Sequence, residues 1–139
     1  MQNPSPERTL GQLDYLRLHR FVTRSPGAPA NPSLEAMAEV LAMSDLVDPT
    51  VIDADVVTMH SRVRLADPQG GEAFTLTLCY PEQSAPAEGR CSVLSPMGAA
   101  LLGLRVGAVA QWQTPQGELR SAAIEELLFQ PEASGDYLS

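Results

Sequence analysis

Ser95-Pro96-Met97-Gly98-Ala99-Ala100-Leu101-Leu102-Gly103 is the stretch on which every local rule agrees. Ser95 is a good helix N-cap, and Pro96 falls at the first helical position, where a missing amide hydrogen costs nothing. Met97, Ala100, Leu101 and Leu102 make a short apolar helical run, and Gly103 can take the left-handed conformation that ends it. The reading is one short, buried helix. The flanks are β-like, with Thr75-Leu76-Thr77-Leu78 before it and Val106 to Trp112 after it. A two-turn helix between strands covers one face of a sheet, so the expected class is α+β.

Working back from the helix, Phe74, Leu76, Leu78 and Tyr80 alternate with Thr75, Thr77 and Cys79. Val57, Met59, Ser61, Val63 and Leu65 alternate in the same way with Thr58, His60, Arg62 and Arg64. Each run is a strand with one buried face, and the turn Asp67-Pro68-Gln69-Gly70-Gly71 joins them into a β-hairpin. Pro81 to Gly89 is a polar loop, and Arg90 to Leu94 leads into the helix. Working forward, Ala108 to Gln113 is a third strand, turned back by Thr114-Pro115-Gln116-Gly117. Leu119 to Gln130 suits either a helix or a strand. A strand is expected, because a helix would leave a three-stranded sheet with a bare edge. The polar tail from Pro131, with Tyr137 and Leu138, should lie along the surface.

The N-terminal part has a different period. From Thr9 to Val22, Leu10, Leu13 and Leu16 form one apolar row and Tyr15, Leu18, Phe21 and Val22 another, which predicts a helix touched from two sides. Thr23 to Pro32 holds Pro26, Gly27, Pro29 and Pro32 and cannot stay helical. Asn31 is placed to cap a second helix that starts at Pro32, with Leu34, Met37, Ala38 and Leu41 on one face. The two helices form a short antiparallel hairpin. Asp45, Asp48, Pro49, Asp53 and Asp55 then break the pattern, so the chain divides into a helical hairpin over 1–48 and a sheet domain over 49–139.

With 139 residues, 44% of them apolar, there is room for one core of ordinary size and an appendage. No run approaches the roughly 18 apolar residues of a membrane span, and a cytoplasmic protein is expected. Cys79 and Cys91 should then stay reduced. The formal net charge is −8, and all nine basic residues are arginine. Arg8, Arg17, Arg20 and Arg24 stand against only Glu7 and Asp14 in the first thirty residues, so the first helix is basic and the body acidic. An acidic body is not a duplex-DNA surface, and no sequence-specific DNA binding is expected. The arginines of the first helix read as a solvated face, with contact to a nucleic acid or a protein left open.

Catalytic patterns are few. His19 and His60 have no ligand-spaced companions, so no metal is expected, and His60 should be solvated on the polar face of its strand. Ser95 lies outside any Gly-x-Ser-x-Gly elbow, which leaves it the capping role. Gly98, Gly103 and Gly107 lack the lysine and spacing of a phosphate loop. Glu125 and Glu126 face opposite ways on a strand and read as surface charge. No cofactor is expected, and no enzyme announces itself.

Arg90 to Gly107 closely resembles the I-S-V-x-S-P-[IVM]-G-x-A-L-[LI]-G-x-x-x-G stretch in the C-terminal domain of Gre-type transcript cleavage factors. Val56 to Ser61, Leu78 to Glu82 and Gln130 to Tyr137 resemble more specifically the Rnk type, the regulators of nucleoside diphosphate kinase that carry the same domain. The resemblance covers about residues 50–138. It implies an FKBP-like curved antiparallel sheet with one packed helix behind a short helical hairpin. It also implies docking on bacterial RNA polymerase, with Ser95, Pro96 and Met97 as the exposed contact, in competition with Gre factors. Gre factors carry acidic residues at the hairpin tip that help hold a catalytic magnesium ion, whereas Thr23 to Pro32 contains neither Asp nor Glu. The implied function is therefore a non-enzymatic regulator without transcript cleavage. A peptidyl-prolyl isomerase and a direct modulator of a metabolic enzyme are the alternatives.

Overall fold

The computed structural model describes residues 8–23, 32–67, 72–114 and 116–135. The expected hairpin tip, the Asn31 cap, most of the Asp67–Gly71 turn and the last four residues lie outside them. Strand β1 (Arg8–Gly11) opens the described chain, followed by helices α1 (Gln12–Thr23) and α2 (Pro32–Met43), which pack on each other. Strand β2 (Ser44–Val47) returns parallel to β1, with Arg8 opposite Ser44 and Gly11 opposite Val47. Thr9 to Gly11 were expected at the start of the first helix. They are extended instead because their partners are remote: β2 on one side, and Gly103, whose carbonyl accepts the Thr9 N–H at 3.0 Å, on another.

The body is a five-stranded sheet in the order β5-β4-β3-β7-β6. The strands are β3 (Arg62–Ala66), β4 (Phe74–Cys79), β5 (Arg90–Ser92), β6 (Val109–Gln113) and β7 (Leu119–Phe129). The β3–β4 hairpin forms as the alternation predicts, and β7 is the strand expected from the need to cover the edge of the sheet. The short β5 joins β4 in parallel, while all other neighbours are antiparallel. Two register shifts between β3 and β7 mark bulges, which bend the sheet. Helix α3 (Pro96–Leu101) lies over it. The core joins Val63, Leu65, Leu76, Leu78, Ala110, Ala122 and Ile124 of the sheet to Ala99, Ala100 and Leu101 of α3. The same core takes in Leu10, Leu18, Met37, Val40 and Leu41 from the N-terminal part. Leu16, expected in an apolar row, faces out and is 58% exposed.

The strand expected over Val57 to Leu65 begins only at Arg62. Before it, Val57 pairs with the chain leaving α3: its N–H donates to the Leu104 carbonyl at 2.8 Å, and its carbonyl accepts the Gly103 N–H at 2.8 Å. Thr58 to Ser61 then make a tight turn in which His60 has a φ of +67°. Thr58, placed by alternation on the polar face, is fully buried because its polar atoms are satisfied. Its N–H donates to Ser61 Oγ at 2.8 Å, and its hydroxyl donates to Glu132 Oε1 at 2.8 Å.

Candidate docking surface at the start of the third helix

The apex of α3 is built by close approach. Ser95 is the N-cap: its Oγ accepts the Gly98 N–H at 3.1 Å and donates to the Ser92 carbonyl at 2.7 Å. Its one proton is committed to a carbonyl, so the hydroxyl is held in a capping role and not as a nucleophile. Gly98 is required by packing, since a Cβ there would stand 2.1 Å from the Ser92 carbonyl oxygen. Gly103, with a φ of +83°, ends the helix in the left-handed region, and a Cβ would meet Arg8 and Thr9 at 3.1 Å.

The far end of α3 is closed from the opposite end of the chain. Arg8 Nη1 donates to the carbonyls of Ala99 at 3.0 Å and Leu102 at 2.7 Å, which are among the acceptors a helix terminus leaves open. Burial lowers the pKa of this guanidinium from its ordinary value. No local pattern marks this role for Arg8, because its partners lie more than ninety positions away.

Of the three residues singled out by sequence, Pro96 is exposed, Met97 is half-buried, and Ser95 is half-buried with its hydroxyl occupied. Two grooves meet at this apex. One, of about 530 Å³, runs toward α2 past Arg8, Val40, Met43 and Ala99. The other, of about 450 Å³, runs across the sheet past Phe74, Leu76, Cys91 and Met97. Ser95, Pro96 and Trp112 line both and form the ridge between them. Phe74, expected on the buried face, is 44% exposed and lines the second groove, and Trp112 is half-buried. Apolar side chains grouped beside a rigid, exposed proline suit contact with another macromolecule. Among the described residues no group of His, Cys, Asp and Glu is arranged to hold a metal ion. Cys79 and Cys91 are free thiols.

His60 is held rather than solvated. Gln83 Oε1 accepts the Tyr80 N–H at 3.2 Å and lies 2.9 Å from His60 Nε2, so that nitrogen carries a proton and donates. Glu125 and Glu126 are exposed, as expected, and Glu126 pairs with Arg64 at 3.0 Å.

A helix with a Ser-Pro start thus lies over a bent sheet, and a pair of short helices precedes them in the chain. The model of the family described as "Transcription elongation factor, GreA/GreB, C-term" matches residues 52–127, and the chain belongs to that family. A regulator of nucleoside diphosphate kinase from Escherichia coli strain K12 is 37% identical over 133 residues, spanning 96% of this chain and 97% of that protein. Transcription elongation factor GreA of Christiangramia forsetii is 32% identical over 92 residues, which is 66% of this chain and 58% of the relative. The solved structure of a transcription elongation factor GreA/GreB from Nitrosomonas europaea superposes with a TM-score of 0.72 at 33% identity, covering 88% of this chain and 100% of that one. The protein is a Gre-related regulator, and these relatives are named as regulators and transcription factors rather than enzymes. No helix among the described residues is long and apolar enough to cross a membrane.

Proposed function

We propose that this chain binds bacterial RNA polymerase near its secondary channel through the apex Ser95, Pro96 and Met97. There it modulates elongation, and with it the level of nucleoside diphosphate kinase, without cleaving transcripts. The observation that carries the docking is the exposed Pro96 ridge between two grooves, of which the one across the sheet is mostly apolar, on a Gre-family domain. Absence of cleavage follows from chemistry. Phosphodiester hydrolysis needs a metal ion placed to activate water, and Thr23 to Pro32 offers no carboxylate to hold one. Helix α1, with 12 residues, is also only about 18 Å long, a stub beside a deep channel.

Such a protein occupies the Gre docking place in the cytoplasm and competes for it. Co-purification with core RNA polymerase is the direct test. Added to stalled elongation complexes free of Gre factors, the protein should leave RNA length unchanged, and in excess it should slow cleavage by a Gre factor. Shortened transcripts with this protein alone would overturn the reading. Capture of nucleoside diphosphate kinase in place of polymerase would favour direct action on that enzyme.

A further inference from the structure

A third groove, of about 490 Å³, lies between α1 and the sheet, away from the α3 apex. Arg17, Arg20 and Phe21 of α1 form one wall, and His60, Tyr80 and Glu82 face them. The aromatic side is ordered: the Phe21 and Tyr80 rings stack with centroids 6.0 Å apart, and His60 meets Tyr80 edge-on at 5.6 Å.

Three features set this groove apart. First, its wall is strained and pinned. His60 is the one non-glycine with positive φ among the described residues, a conformation that persists where the surroundings enforce it and that gathers at functional sites. Its N–H donates to the Leu78 carbonyl at 2.8 Å, and its ring is fixed by Gln83. Second, His60 Nδ1 is buried without a hydrogen-bond partner, an unfinished polar site behind the groove. Third, the groove sets two arginines, Arg17 and Arg20, against one carboxylate, Glu82, in a chain of net charge −8. Arg64, Arg90, Arg105 and Arg120 pair with carboxylates, whereas Arg20 in this groove, like Arg62 on the sheet, is exposed with no ion-pair or hydrogen-bond partner among the described residues.

We propose that this groove binds a nucleoside phosphate, with the phosphate on Arg17 and Arg20 and the base against Phe21. Guanidinium groups suit phosphate oxygens, an aromatic face suits a base, and the volume suits a ligand of mononucleotide size. Glu82 on the facing wall rejects a second anion and accepts from a hydroxyl or amino group, which favours a nucleoside phosphate over a bare polyphosphate.

The test is calorimetric titration of the full chain with ADP, and separately with pyrophosphate, alongside the variants Arg20→Ala and Phe21→Leu. Arg20 is solvent-exposed, and leucine keeps most of the Phe21 packing; thermal melts confirm that each variant folds. ADP should bind at millimolar concentration or below, and Arg20→Ala should weaken it about tenfold, the worth of one charge-assisted bond. Phe21→Leu should weaken ADP and leave pyrophosphate unchanged. No binding of ADP, binding indifferent to Arg20→Ala in a folded protein, or pyrophosphate binding as tightly as ADP would each overturn the proposal.

Discussion

Arg8 and Leu102 are joined by a 2.7 Å hydrogen bond from the arginine Nη1 to the leucine carbonyl, so the first described residue closes the last turn of the docking helix. Replacing Arg8 with methionine keeps the aliphatic stem and leaves two half-buried carbonyls without their donor. A loss of about 1–3 kcal/mol is expected, read as a lower midpoint in urea with an unchanged slope. Lysine, a single point donor in place of a planar fork, should restore only part of it.

Docking and capping are separable at the apex. Pro96→Glu puts an acid where a helix start welcomes one, so melting should hardly change while polymerase capture falls. Ser95→Ala should instead cost about 1 kcal/mol in stability through the lost cap. Ser95→Asp is the less clean choice, because a carboxylate cannot donate to the Ser92 carbonyl as the hydroxyl does. Polymerase capture that is indifferent to Pro96→Glu would remove the apex from the interface.

Asp14 is 3% exposed, and its Oδ2 accepts the Met59 N–H at 3.2 Å. Burial is the main cause of its raised pKa, with Glu132 adding to it, while the Met59 bond and Arg17 act against it. The folded state therefore holds this proton up to about pH 7, whereas the unfolded chain releases it near the ordinary value of 3.8. Between those limits the native state binds more protons, so this group's contribution to stability falls as pH rises, by roughly 1 kcal/mol per pH unit. Asp14→Asn should abolish that slope, seen as the difference between wild-type and variant melting curves from pH 4 to 8. A constant difference across that range would show that Asp14 titrates normally.

We propose residues 49–139 as a domain that folds without the helices. The sheet and α3 supply most of the core, so the fragment should melt cooperatively. It should also melt lower than the full chain, because Leu10, Leu18, Met37, Val40 and Leu41 no longer contribute to the shared core. A fragment with no cooperative transition would make the chain one indivisible unit.

The legible parts of the fold are those whose reasons are local. Ser95, Pro96 and Gly103 specify their helix by position, and the alternation of Val63 and Leu65 with Arg62 and Arg64 gives β3. Thr58 looked polar because alternation cannot see Glu132, a partner 74 residues away that makes its burial tolerable. His60 looked solvated for the same reason, its anchors being Leu78 and Gln83. At the apex, the Ser-Pro-Met motif was readable, but Trp112 and Phe74 join it only through the bend of the sheet. A strand's period reports which face a side chain takes, and not whether the opposite element reaches far enough to cover it.

The stretch from Asp53 to Val57 finds most of its hydrogen-bond partners far away in sequence. Its partners are Gly103 to Val106, and Gln130, whose Nε2 donates to the carbonyls of Asp53 at 2.8 Å and Val56 at 2.7 Å. During synthesis this segment therefore waits first for residues 103–106 and then for Gln130 to leave the ribosome. Bringing in contacts 77 and 74 residues apart costs loop-closure entropy before it returns any stabilisation, so folding of this sheet should be slow and late. A chain cut short before Gln130 would hold its strands but lack the side chain that ties the entrance of the sheet to its exit.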